Sequence, residues 1–221
     1  MSLLPIGLLG GAFDPIHFGH LRLGLEAAER LGLEQVRFIP TGIPPHRAAP
    51  RTSAPHRFEM TRIAVAGNPL FSLDDREIRR AGPCYTVDTL EALRAELGSA
   101  RPLCLLLGGD AFLGLATWHR WRELFGLCHI VVANRPGITL ATLEQTMPEA
   151  LRSETQTRRD AAATLRAPAG TIVPLPIPSL DISSTAIRGL LAAGRSPRYL
   201  LPHGVLEYIG RHGLYRENNA V

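Results

Sequence analysis

The chain has 221 residues, enough for one α/β domain with a sizeable core, and 45% of them are hydrophobic and 6% aromatic. The formal charge of +4 rests on arginines scattered along the chain, which argues against a nucleic-acid surface and suits a site for a small polyanion. Three cysteines in no CxxC pair, no apolar run of bilayer length and no basic leader argue against a disulfide scaffold and a membrane span; buried thiols at Cys84, Cys104 and Cys128 and a cytoplasmic location are expected.

In chain order, the apolar run IGLL (6–9) reads as a buried strand. LRLGLEAAERLG, with Leu21, Leu25 and Ala28 at helical spacing, reads as the following helix. Between them lies GGAFDPIHFGH (10–20), a strand-to-helix turn. The first turn of a helix carries unpaired N–H groups and a partial positive charge, and so forms an anion site. Gly10 and Gly11 let the backbone approach such a guest closely, and Asp14-Pro15 fits an N-cap followed by proline at the first helical position. His17 and His20 fall three apart on one helix face, with Gly19 between them leaving room for a planar ligand. The chain contains no lysine, so a P-loop is excluded, and Gly7, Gly10 and Gly11 do not fit GxGxxG. Taken alone, these residues leave three readings open: phosphate binding, metal ligation by Asp14, His17 and His20, or simple capping.

Strands are expected at 35–41, 69–73, 102–108, 129–134 and 171–177. Helices are expected at 57–67, 85–98, 110–124, over much of 140–165 and at 183–194. This alternation predicts an α/β fold, a Rossmann-like doubly wound parallel sheet with helices on both faces. Its ligands bind beyond the carboxyl ends of the strands. The segments found there are GGAFDPIHFGH, PTGIPPHR, GGDAF, NRPG and PSLDISSTAIR. The domain expectation is a single unit, 1–221, with a peripheral helical or flexible segment at about 138–170 and a small C-terminal helical part at about 184–215. Within GGDAF, Asp110 is a candidate N-cap, and in the WHRW run (118–121) Trp118 is expected to be presented and Trp121 buried. DISSTAIRGLL (181–191) opens a helix with Ser183, Ser184 and Thr185. One cap needs one hydroxyl, so three in a row with Arg188 a turn later form a second anion site.

GGAFDPIHFGH and ISSTAIR resemble the GGxFDPxHxGH and ISSTxIR signatures of bacterial nicotinate mononucleotide adenylyltransferases. IPPHR, CYTVDTL, GGDAFLGLATWHRW, NRPG and VLEYIGRHGLY are similar to further family segments in the same order. One departure is Arg47, where lysine is common in the family; either can contact phosphate. The resemblance implies a nucleotidyltransferase-type fold. It also implies transfer of the adenylyl group of ATP to nicotinate mononucleotide, giving the deamido dinucleotide and pyrophosphate without a covalent intermediate. Mg²⁺ is implied on the ATP phosphates, with no protein metal cage and no structural zinc. His17, His20 and Arg188 are the implied catalytic residues. ATP is implied to lie against Gly10, Gly11, Ala12, Phe13, His17, Gly19, His20, Gly108, Asp110, Ile182, Ser183, Ser184 and Arg188. The mononucleotide is implied to meet Ala12, Phe13, His46, Arg47, Thr86, Asp110, Trp118, His119 and Arg135. The partners are thus two small molecules, with neither nucleic acid nor membrane, and a homo-oligomer is open. The rivals are a phosphopantetheine adenylyltransferase of the same superfamily and a nucleotide sensor without turnover; Trp118 and CYTVDTL speak against the first, and the intact His17, His20 and Arg188 against the second.

Overall fold

The computed structural model describes residues 3–45, 49–134, 140–160, 165–178 and 180–216. Six strands form one sheet: β1 (Ile6–Gly11), β2 (Gln35–Pro40), β3 (Phe71–Leu73), β4 (Leu103–Gly108), β5 (His129–Asn134) and β6 (Ile172–Pro176). All pairings are parallel and the order is β3-β2-β1-β4-β5-β6. The helices are α1 (Phe18–Leu31), α2 (Ala54–Val65), α3 (Arg76–Arg79), α4 (Thr86–Leu97), α5 (Gly109–Leu113), α6 (Leu124–Leu127), α7 (Leu140–Glu144), α8 (Glu149–Arg158), α9 (Ser184–Ala192) and α10 (His203–Arg211).

Successive strand residues point to opposite faces, and both faces are covered. Leu105 and Leu107 of β4 therefore join one core cluster with Val87, Leu90 and Leu93 of α4, while Cys104 and Leu106 join another with Met60 of α2 and Val205 and Ile209 of α10. Each such buried aliphatic side chain stabilises the fold by roughly 1.5–3 kcal/mol before ordering costs. All three cysteines are buried, and burial pushes the Cys128 thiol up to about 12.

The strands agree with the expected alternation, β3 being two residues shorter at its start. The expected helix at 110–124 is instead broken: α5 stops at Leu113, two single 3₁₀ turns follow at Leu115–Thr117 and Trp121–Glu123, and α6 ends the run. Phe112, Leu115, Trp121, Leu124 and Phe125 are all buried. The apolar spacing was a real core signal, but Trp118 is extended and Arg120 left-handed, so the chain leaves the helix to present residues 118–120. The expected 140–165 helix is divided at Pro148, whose φ of −54° and ψ of 142° make it the N-cap of α8.

Candidate active site

β1 pairs with β2 as far as Gly11↔Pro40, and β4 with β5 as far as Gly108↔Ala133, yet β1 and β4 pair only from Ile6↔Leu103 to Leu8↔Leu105. Beyond that point the carboxyl halves of β1 and β4 part. The strand order reverses here, which is where open parallel sheets bind ligands. The crevice holds about 920 Å³, within the range of small-molecule sites. A side chain at Gly10 or Gly108 would point into open space, so their bare backbone leaves the floor accessible.

His17 is the N-cap of α1 and His20 its third residue, with ring centroids 3.8 Å apart. Asp14-Pro15 is therefore not the cap and first helical residue that its sequence suggests. The Asp14–Pro15 peptide is cis, and the helix begins at Phe18. The His17 main-chain N–H donates to His20 Nδ1 at 3.3 Å. A neutral His20 must then carry its proton on Nε2, where it can donate to a ligand. Desolvation lowers the His17 pKa to about 4. It holds His20 well below the ordinary value too, with the neighbouring His17 adding to the effect. The His20 main-chain N–H approaches the His17 side chain as in a capping box, and among the described residues His17 Nδ1 meets no other partner, which leaves it placed to serve a ligand. Gly19 faces the His17 ring: a Cβ there would stand 3.0 Å from the imidazole, so the glycine first of all makes room for His17. Phe13, left-handed at φ 48°, packs its ring edge-on against His20 at 5.0 Å, and Gly11 and Ala12 complete this wall.

The start of α9 faces the start of α1. Ser183 caps α9, accepting the Ala186 N–H at 3.1 Å; Ser184 Oγ donates to the Pro15 carbonyl at 2.9 Å. Arg188 Nη1 donates to the Asp14 carbonyl at 2.7 Å, and its Nη2 to Thr185 Oγ1 at 3.3 Å. The three hydroxyls are thus divided between capping, joining the two helix starts and orienting Arg188. Ile182 lies beside them on the cavity wall.

Across the crevice, Thr86 opens α4, Trp118 is half-buried and His119 stacks 4.4 Å from Tyr85. Arg120 ties this turn to α4 and to itself, at 2.7 Å from Glu91 and 2.6 Å from Glu123. Trp121 is 8% exposed, and Trp118 lines the cavity. Asp110 also lines it, but as the second residue of α5; the N-cap is Gly108, so capping is not the role of Asp110. Sixteen of the expected site residues thus face one crevice, whereas His46, Arg47 and Arg135 lie outside the described residues.

Several contacts that shape the site escaped sequence reasoning. Arg57, 1% exposed, donates to the carbonyls of Ala12 (2.6 Å), Gly42 (3.0 Å) and Thr52 (3.1 Å), joining three loops; burial lowers its pKa. Gly42 packs so closely that a Cβ would lie 2.3 Å from the Glu77 carbonyl. Glu77, whose pKa burial raises, accepts from Thr89 Oγ1 at 2.7 Å behind the same wall. Asp14 Oδ2 accepts the Arg51 N–H and Oδ1 the Tyr215 hydroxyl, each at 2.7 Å. Each carboxylate oxygen of Asp14 is thus engaged by a donor from elsewhere in the chain. Among the described residues no group of three His, Cys, Asp or Glu could hold a metal ion.

A parallel sheet of this order, opened at its switch point with two helix starts facing the crevice, is the architecture of a nucleotide-binding α/β protein. The cytidylyltransferase-like family model matches residues 8–190. A Dechloromonas aromatica relative named "Probable nicotinate-nucleotide adenylyltransferase" is 52% identical over 97% of this chain and 99% of its own. A Halorhodospira halophila relative of the same name is 51% identical over 96% of each. The chain belongs to the nicotinate-nucleotide adenylyltransferases of the cytidylyltransferase-like family. The fold is also that of a Plasmodium falciparum nicotinic acid mononucleotide adenylyltransferase solved in complex with NaAD, at TM-score 0.71, 18% identity and coverage of 96% of this chain and 97% of that one. Among the described residues no helix is long and apolar enough to cross a membrane.

Proposed function

We propose that the protein joins ATP and nicotinate mononucleotide into nicotinate adenine dinucleotide and pyrophosphate by in-line displacement. The acceptor's phosphate oxygen attacks the α-phosphorus of ATP. As that bond forms, the bond from the α-phosphorus to the α–β bridging oxygen breaks, and pyrophosphate leaves with its electron pair. The acceptor phosphate is already an anion, so no general base or covalent intermediate is needed, and catalysis is positioning and charge stabilisation.

The observation that carries this reading is the facing pair of helix starts at the crevice, with His17 and His20 on one and Ser183 and Arg188 on the other. Neutral His17 and His20 hydrogen-bond the α- and β-phosphate region. Ser183, whose oxygen accepts from Ala186 while its proton stays available, and Arg188 hold the β- and γ-phosphates. Gly10, Gly11, Gly108, Asp110 and Ile182 bound the nucleoside. Ala12, Phe13, Thr86, Trp118 and His119 receive the mononucleotide, the ring stacking on Trp118 and its carboxylate meeting Thr86 and backbone N–H groups. The donor-rich lining and the occupied Asp14 carboxylate suit Mg²⁺ entering on the nucleotide phosphates, where it neutralises charge, rather than in a protein cage. No zinc is required.

The family names support this substrate pair, as does the NaAD complex of the structural neighbour. The test is pyrophosphate release from ATP with nicotinate or nicotinamide mononucleotide offered separately. Donors aimed at a carboxylate are mismatched by an amide NH₂, costing about 1–3 kcal/mol, so the acid form should be preferred by about 5- to 150-fold. Equal use of both would sink the pocket assignment. Activity should persist with a tight zinc chelator and excess Mg²⁺.

A further inference from the structure

Tyr215 lies in the turn after α10, and nothing in the family signatures assigns it a role. Its backbone is left-handed at φ 62°, a conformation that a non-glycine residue keeps only where its surroundings over-determine it. Its hydroxyl donates to Asp14 Oδ1 at 2.7 Å, 201 residues away in sequence. Burial pushes the phenol well above its ordinary pKa, so the donor keeps its proton. Asp14 is 5% exposed and gripped at three atoms by separate parts of the chain: Oδ1 by Tyr215, Oδ2 by the Arg51 N–H and the main-chain carbonyl by Arg188 Nη1, each at 2.7 Å.

Packing alone does not account for the hydroxyl. The Tyr215 ring rests on the core cluster that already holds Val205 and Ile209 of α10, and a phenylalanine would fill that place without a buried polar atom to satisfy. The hydroxyl bears instead on the residue whose carbonyl holds Arg188.

We propose that Tyr215 is a positioning residue for adenylyl transfer: by fixing the Asp14 carboxylate it sets the Asp14 carbonyl, which aims the Arg188 guanidinium at the phosphates. This rests on the adenylyltransferase reading above, and the test separates the two.

The experiment is a double-mutant cycle of Tyr215→Phe and Arg188→Ala in the full chain. It is read by steady-state kinetics and by equilibrium binding of α,β-methylene-ATP, with thermal unfolding in parallel. Misplacement of a catalytic group by a fraction of an ångström costs about tenfold, so Tyr215→Phe should lower kcat/KM for ATP by about tenfold and weaken analogue binding about fivefold. KM for the mononucleotide should change less than about twofold, because the Asp14 contact lies on the phosphate side. In the Arg188→Ala background the same substitution should change analogue binding by less than about twofold. Loss of folded protein alone would lower the active fraction without altering the analogue's Kd. Unchanged binding and kinetics in Tyr215→Phe, or equal factors in both backgrounds, would overturn the proposal. A wild-type protein that binds the analogue but releases no pyrophosphate with either mononucleotide would overturn the adenylyltransferase reading and leave the binding cycle decisive for Tyr215.

Discussion

The two walls of the crevice are built on different principles. On the side formed by the starts of α1 and α9, a buried imidazole, a buried carboxylate and main-chain carbonyls are joined across great sequence distance: Ser184 to Pro15, Arg188 to Asp14 and Tyr215 to Asp14. On the opposite side, Trp118 and His119 sit on irregular turns held by ring packing and by the exposed ion pairs of Arg120. Such pairs, screened by water, do little to fix a geometry. The contrast follows the chemistry each wall is read to serve. Charge that develops on phosphate must meet donors already in place, whereas a flat ring needs contact area and a few hydrogen bonds.

The sharpest way to break the comparison is to remove the rigid wall's donors. His17→Ala or His20→Ala should lower kcat by about 10²–10⁴-fold while the protein still folds, as for loss of a preorganised contact to transition-state charge. Wild-type turnover would take that histidine out of catalysis. Arg57→Met should act on the same wall through stability: three loop carbonyls lose their donor, at about 2–5 kcal/mol in denaturant unfolding. A midpoint unchanged from wild type would mean that the three loops are held by something else.

On the softer wall, Trp118→Ala should raise KM for both mononucleotides by about 5–20-fold through lost stacking and leave the preference between them nearly intact, since the ring face is common to both. A collapse of the preference would place the tryptophan at the carboxylate instead. A separate effect concerns pH. The lowered pKa values of His17 and His20 mean that the unfolded chain binds protons below about 6.5 while the folded chain does not until about 4 at His17. Stability should therefore fall as pH drops from 6.5 toward 4, and less steeply in His17→Ala. Thermal unfolding midpoints across that window measure the slope, and identical slopes would show that His17 is not the source.

Much of this fold was legible because it is periodic. Alternating apolar strands and helices are local patterns, and the two helix starts at the crevice follow from capping residues within a few positions of each other. Local chemistry also misled where tertiary contacts outbid it. Asp14-Pro15 has the form of an N-cap and first helical residue, yet its carboxylate is taken by Arg51 and Tyr215 and the cap passes to His17. The run 110–124 has helical spacing, yet it breaks so that the same apolar residues reach the core while Trp118 reaches the cavity.

By itself the sequence determined the parallel α/β sheet, the crevice end of that sheet and the histidine and serine–arginine segments that face it, because each depends on side-chain period or on a helix start a few residues long. Only the tertiary structure decided that β1 and β4 part after Leu8, that Arg57 joins the loops at Ala12, Gly42 and Thr52, and that Asp14 is held from three directions. The physical reason is that a buried polar group takes whichever partner the folded backbone delivers, and a partner 15, 45 or 201 residues away leaves no period in the chain.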